Sequence, residues 1–178
     1  MVDQRDVQRL GGKAAKFPSS FVVADILVRH GIERVLDVTY GRGRFYYIYK
    51  PPLLFGADPK KWEWVTEPDV FIQAPVWALR RRLDRQQQFD AVVCDPPVWR
   101  KGVRYNGRPE YNYVLGSARL IIDEAVRLAR MLGVKFFLLH IDRLMEFPVV
   151  EDIQFRYVAR YLNLPELRTT HFTLYRVV

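Results

Sequence analysis

Residues 89–94, Phe-Asp-Ala-Val-Val-Cys, form an apolar run that stops abruptly at Asp95-Pro96-Pro97. A short run centred on β-branched residues reads as a buried parallel strand. Neither proline carries an N–H, so the ladder of hydrogen bonds must end there. Pro97 also holds the residue before it in an extended conformation. In open α/β sheets, ligands bind just beyond the carboxyl ends of the strands. A carboxylate and rigid carbonyls at that edge are hydrogen-bond acceptors and suit an amino group. Taken alone, the segment is equally well explained as a loop that terminates a strand.

A second segment tips the balance. Glu33-Arg34-Val35-Leu36-Asp37-Val38-Thr39-Tyr40-Gly41-Arg42-Gly43-Arg44-Phe45 reads as a strand, a carboxylate and a tight glycine turn. Glycines at 41 and 43 let the backbone approach a ligand or take positive φ. About 20 residues further on, Leu53-Leu54-Phe55-Gly56-Ala57-Asp58 is another apolar run ending in an acid, at the distance a βαβ unit needs to bring that acid to a ribose hydroxyl pair. The glycine pattern lacks the third glycine of the dinucleotide fingerprint. Three strands that each end in an acid, in this order, nonetheless predict one crevice.

The segments 37–45 and 95–97 resemble two motifs of the Rossmann-fold methyltransferases that use S-adenosylmethionine, and within them the group acting on exocyclic amino groups of nucleic acids. Asp37-Val38-Thr39-Tyr40-Gly41-Arg42-Gly43 looks like the cofactor motif, and Asp95-Pro96-Pro97 like the catalytic (D/N/S)-P-P-(Y/F/W) tetrapeptide. Val98 stands where that group has an aromatic, and Trp99 follows one position later. The resemblance spans residues 13–140 and implies S-adenosyl-L-methionine as cofactor.

It also implies roles. Asp37 would hold the cofactor's ammonium group, with the turn Thr39, Tyr40, Gly41 and Gly43 against its methionine part. Asp58 would accept the ribose hydroxyls, Pro59 and Trp62 would pack on adenine, and Gln73 would hydrogen-bond it. Lys13 and Phe17 would cover the methionine end, and Asp95 would border the cofactor as well. In catalysis, Asp95 and the Pro96 carbonyl would accept hydrogen bonds from the target amine, Pro97 would fix the turn and Trp99 would stack the base. Beyond them, Arg100, Lys101, Arg104, Tyr105 and Arg108 fall in a loop of roughly 18 residues, long for a compact domain. Its mixture of cations, aromatics and glycines suits a nucleic-acid backbone.

The whole chain sets limits on this reading. Its 178 residues suffice for one domain with a proper core, and 49% of them are apolar. That is expected to leave no room for a separate target-recognition domain, so the chain should recognise an RNA shape, act with limited sequence preference, or borrow specificity from a protein partner, with RNA slightly favoured over DNA. The net charge of +8, with arginine outnumbering lysine about three to one, favours a polyanion. One cysteine, Cys94, excludes an internal disulfide, and three scattered histidines (His30, His140, His171) predict no metal site. The absence of a secretory pattern or a membrane-length apolar run predicts a cytoplasmic protein.

Strands and helices are expected to alternate in a three-layer αβα sandwich with a mostly parallel, Rossmann-like sheet. Residues 11–18 read as an irregular lead-in, followed by a helix capped by Ser19 or Ser20 and ended by Gly31. Strands are expected over 33–37, up to Asp58, over 69–73, 89–94 and 134–140, with an antiparallel strand over 169–178. Helices are expected over 43–50, 74–85, 117–131 and 151–162, the third with Leu120, Ile121, Ala125, Leu128 and Met131 toward the core. His140 is read as structural, and Cys94 as a core residue pointing away from Asp95.

Three other functions remain open from sequence. One is a non-catalytic subunit of the same fold that binds nucleic acid for an active partner. Another is a methyltransferase acting on protein or small-molecule nitrogen. The third is a nicotinamide-dependent dehydrogenase, which the missing glycine disfavours.

Overall fold

The computed structural model describes residues 1–84, 86–96, 118–141, 148–161 and 164–177. Eight strands form one sheet: β1 (Val2–Asp3), β2 (Arg34–Asp37), β3 (Leu53–Asp58), β4 (Val70–Gln73), β5 (Ala91–Cys94), β6 (Phe136–Ile141), β7 (Val149–Tyr161) and β8 (Leu164–Arg176). Their order across the sheet is β1-β7-β8-β6-β5-β2-β3-β4. All neighbouring pairs are parallel except those of β8, which runs antiparallel to both β6 and β7. The helices are α1 (Gln4–Arg9), α2 (Gly12–Lys16), α3 (Pro18–Arg29), α4 (Val76–Leu79) and α5 (Ala118–Leu132), with a 3-10 turn at Arg44–Tyr46.

The central strands are covered on both faces, which is why their sequences are apolar without alternation. Leu36, Val92, Cys94 and Leu139 join α4 and α5 in one buried cluster. Val35, Ala91, Val93, Phe136 and Leu138 pack with α3, Phe155 and Phe172 in the other. Burying an aliphatic side chain such as Leu128 or Leu27, both 0% exposed, stabilises the fold by roughly 1.5–3 kcal/mol. The αβα layering, the mostly parallel sheet and the antiparallel last strand are as the sequence predicts.

Several expectations are corrected. Residues 151–161 are not a helix but most of β7. Ile153, Phe155 and Tyr157 pack against the core, while Asp152, Gln154 and Arg156 alternate with them, a period of two that no helix can satisfy. The helix expected over 43–50 shrinks to the 3-10 turn, because Gly43 is left-handed at φ 69° and Pro51 follows closely. The helix over 74–85 is regular only through Leu79, then continues as turns to Leu83. Neither Ser19 nor Ser20 caps α3: Pro18 opens it, and the Ser20 hydroxyl donates back to the Phe17 carbonyl at 2.6 Å. The lead-in contains the short helix α2. On α5, Leu120 is exposed rather than core-facing.

The β7–β8 hairpin is longer than the rest of the sheet. β6 pairs only with residues 171–176 of β8, so residues 155–161 and 164–170 run on past its carboxyl end. The hairpin therefore rises along the edge where β2, β3 and β5 finish. No described helix is long and apolar enough to cross a membrane.

Candidate functional site

Side chains alternate along a strand, so residues of one parity share a face. Val35, Val93 and Leu138 lie on the α3 side, and the same parity takes Asp37, Asp95 and His140 to that side at the carboxyl edge. The register supports this convergence, because Asp37 lies opposite Val93 on β5 and Gly56 on β3.

Asp37 is 2% exposed. One carboxylate oxygen accepts the Thr39 N–H at 2.9 Å and the other the Tyr46 hydroxyl at 2.9 Å. Burial pushes its pKa up to about 7, the two hydrogen bonds oppose that rise, and the charges of Asp95 and Asp58 add to it. The turn itself ties the three acids to one crevice, since Thr39 bonds both Asp37 and the Asp95 N–H, and the Gly41 N–H bonds Asp58. Burial and the neighbouring Asp37 charge likewise hold the Tyr46 hydroxyl well above its ordinary value, so it stays protonated and donates.

Asp58 knits the glycine turn to the end of β3. One of its oxygens accepts Gly41 N–H at 3.0 Å, and the other accepts Lys60 N–H at 2.9 Å and the Trp62 indole at 3.1 Å. Burial raises its pKa against those donors. A carboxylate offers about four acceptor positions, so three donors leave room for about one more. Tyr40, expected at the cofactor, instead lies beneath the turn: its ring is 4% exposed and its hydroxyl donates to the Thr66 carbonyl at 2.7 Å. A Cβ on Gly43 would meet Thr66 O at 2.5 Å and Tyr40 Oη at 2.6 Å, and one on Gly56 the Tyr40 ring at 2.6 Å. Gly41, at φ 53°, has nothing nearer than 3.8 Å and keeps an open side.

Asp95 follows β5 with its side chain 42% exposed. Its N–H donates to the Thr39 hydroxyl at 2.6 Å, so Thr39 ties the Asp37 turn to the Asp95 backbone. One Asp95 oxygen lies 2.8 Å from His140 Nδ1. The imidazole stacks on Phe172 at 4.1 Å and 12° and receives the edge of Phe45. Pro96 is buried, and Cys94 packs in the opposite core, where burial raises its thiol well above the ordinary value.

The outer residues partly assemble. Gln73 ends β4 and donates to the Pro59 carbonyl at 3.3 Å, which brings both beside Asp58. Lys60 lies 4.4 Å from the Trp62 ring. Lys13 stands 5.8 Å from the Tyr47 ring, Lys16 5.4 Å from the same ring, and Arg44 5.4 Å from Phe17. Phe17 and Tyr47 themselves pack edge to face at 5.0 Å. Pro97, Trp99, Arg100, Lys101, Arg104, Tyr105 and Arg108 lie outside the described residues.

Sequence reasoning did not single out Tyr46, and it read His140 as structural without its bond to Asp95. A phenol nine residues after Asp37 carries no signal until the 3-10 turn folds it back, and His140 was visible only as a strand-end residue. A cavity of about 520 Å³ lined by Trp77, Ala78, Arg80, Arg81 and Met131 lies between α4 and α5, on the other sheet face from the acids. Among the described residues no His, Cys, Asp and Glu cluster suits a metal ion.

No protein-family model and no curated protein sequence matches the chain. Solved structures do. A Pyrococcus horikoshii protein described as a proposed RNA methyltransferase is 13% identical, with 90% of this chain and 85% of that one covered at a TM-score of 0.57. A proposed methylase from Haemophilus influenzae is 12% identical, covering 89% and 88%, at 0.50. The Synechocystis magnesium protoporphyrin IX methyltransferase, solved with S-adenosylmethionine bound, is 15% identical, covering 97% and 83%, at 0.45. The first two likenesses concern architecture alone, and with the strand order above they establish that this chain has the Rossmann-like methyltransferase fold.

Proposed function

We propose that this chain is an S-adenosylmethionine-dependent methyltransferase whose acceptor is an exocyclic amino nitrogen of a nucleic-acid base, in RNA rather than DNA. The observation that carries the reading is the convergence of Asp37, Asp58 and Asp95 on one crevice at the carboxyl edge, with Pro96 directly after the third acid. The residues present fit the cofactor. A buried carboxylate at Asp37 suits its ammonium group, the open side of Gly41 suits close backbone approach, and Asp58 beside Pro59 and Gln73 suits a ribose and the edge of adenine. When bound, S-adenosylmethionine supplies a methyl group on a positively charged sulfur.

The chain's own part is alignment and hydrogen bonding. An aryl amine is a weak nucleophile because its lone pair is delocalised into the ring. Asp95 and the Pro96 carbonyl accept its two N–H groups and draw the nitrogen toward tetrahedral geometry, which returns the lone pair to nitrogen. The free oxygen of Asp95 then takes the proton that the methylated nitrogen must lose and passes it to solvent. The cations at Lys13, Lys16 and Arg44, set around the Phe17 and Tyr47 rings, favour a phosphate backbone at this rim. A duplex base would have to leave its stack to enter.

Mass spectrometry of digested RNA and DNA, after incubation with the protein and isotope-labelled S-adenosylmethionine, tests the reading. A labelled N-methyl base in RNA is expected. Asp95→Ala should lower transfer at least about 10³-fold, since it removes an interaction strongest in the transition state, while cofactor affinity changes little. Undiminished transfer by that variant contradicts the role of Asp95. Label appearing only on protein or small-molecule nitrogen contradicts the choice of substrate.

A further inference from the structure

We infer that His140 is a positioning residue: its Nδ1–H holds the Asp95 carboxylate by one oxygen and presents the other to the target amine. This deepens the function proposed above and rests on it. The strand-end position alone does not reveal the role; the contacts do. Nδ1 lies 2.8 Å from Asp95 Oδ1. A carboxylate only accepts, so the proton between them sits on nitrogen, and a neutral imidazole then has a bare Nε2. The surroundings agree with that assignment. Nε2 is buried and, among the described residues, has no hydrogen-bond partner, a place where an N–H would be left unsatisfied.

The ring has little freedom to turn. Phe172, 0% exposed on β8, stacks on it at 4.1 Å, and Phe45 meets it edge-on at 5.6 Å. Asp95 is thus fixed at two points, its backbone N–H by Thr39 at 2.6 Å and its carboxylate by His140. Among the described residues its second oxygen has no hydrogen bond, and the side chain is 42% exposed. A carboxylate free to rotate would meet the amine in many orientations, whereas one held by a clamped ring has lost that freedom before substrate arrives. His140 does not touch the reacting atoms; it acts through Asp95.

Nitrogen-15 NMR of the imidazoles in the purified chain, without cofactor or substrate, provides the first test. The expected result for His140 is a protonated Nδ1 and a bare Nε2, with that preference lost in Asp95→Ala. A proton on Nε2 in the wild type overturns the inference. The second test is steady-state transfer to RNA. His140→Asn keeps an N–H near the place of Nδ1 and should retain kcat within about fivefold, whereas His140→Leu should lower it about 30- to 100-fold, as misorientation does. KM for RNA and cofactor affinity should stay within about twofold in both. Equal losses in the two variants, or a fall in Tm with kcat intact, show a merely structural histidine. A wild type that methylates no nucleic acid defeats the proposed function instead, and the tautomer measurement then decides the inference.

Discussion

The two halves of the carboxyl edge are built differently. At β2 and β3 both acids are nearly sealed: Asp37 is 2% and Asp58 7% exposed, and every carboxylate oxygen already accepts a donor from the turn around them. At β5 and β6, Asp95 stands 42% exposed with one oxygen held by His140. The closed half is a rigid mould in which charge is costly. The open half has an acceptor in hand for something that comes and goes. A ligand gripped by its fixed polar groups suits the first, and an acceptor amine that needs a free acceptor oxygen suits the second.

The sharpest way to break the closed half is Gly43→Ala. A Cβ there would overlap the Thr66 carbonyl at 2.5 Å and Tyr40 Oη at 2.6 Å, at a φ of 69° that side chains avoid. A backbone carbonyl cannot move aside as a flexible side chain can. We expect a loss of roughly 3 kcal/mol in urea-induced unfolding, from strain plus overpacking. Gly41→Ala, with open space beside it, should lose only the strain of positive φ, about 1 kcal/mol. Equal losses for the two would mean that the turn is not packed against Tyr40 as described.

The same division explains what could be read from sequence. The strand ends of both halves were legible because buried parallel strands leave an unbroken apolar run, and the chain must then spend an acid or a glycine to leave the sheet; Asp37, Gly43 and Asp58 on the closed side and Asp95 on the open side are found where that logic puts them. Tyr40 sits in the same motif, yet it supports the turn from below, since adjacency in a turn does not say which way a ring points. The first arm of the hairpin was misread as a helix over 151–162 because charged and apolar residues mix there densely enough to suggest an amphipathic helix, although Ile153, Phe155 and Tyr157 alternate; the second arm is the antiparallel strand expected. His140 depends on that hairpin, whose Phe172 orients its ring. A contact between strands distant in sequence leaves no local trace.

Asp37→Asn sharpens the comparison by separating stability from binding. The folded chain holds the Asp37 proton up to about pH 7, against an ordinary value of 3.8. Acid therefore favours folding through this group: the contribution is fully present below pH 3.8 and is lost as pH rises through about 7. At pH 8 a neutral amide avoids the buried charge, and Thr39 N–H and Tyr46 can still reach its carbonyl and amide groups. The variant should be more stable than wild type by roughly 1–2 kcal/mol at pH 8 and no more stable at pH 4. S-adenosylmethionine affinity by calorimetry should fall about 100-fold, because an ammonium group loses its charged partner. Loss of stability at pH 8 would show that Asp37 is an ordinary structural acid.

The finest probe of the mould is Tyr46→Phe, which deletes one hydroxyl and little volume. Tyr46 Oη donates to Asp37 at 2.9 Å and thereby lowers a pKa that burial has raised. Without that donor the anion is less well satisfied, so the Asp37 pKa should rise further, by up to about one unit given what a hydrogen bond to a charged group contributes. Wild-type affinity for S-adenosylmethionine should strengthen between pH 6 and 8 as Asp37 ionises. In the variant the same rise should come at higher pH, with affinities converging once Asp37 is ionised in both. Asp95, on the open side, has no bond to Tyr46, so kcat at saturating cofactor and pH 9 should match wild type. A uniform loss of affinity at every pH would instead mean that the hydroxyl meets the cofactor itself, and the closed half would then be less closed than its hydrogen bonds imply.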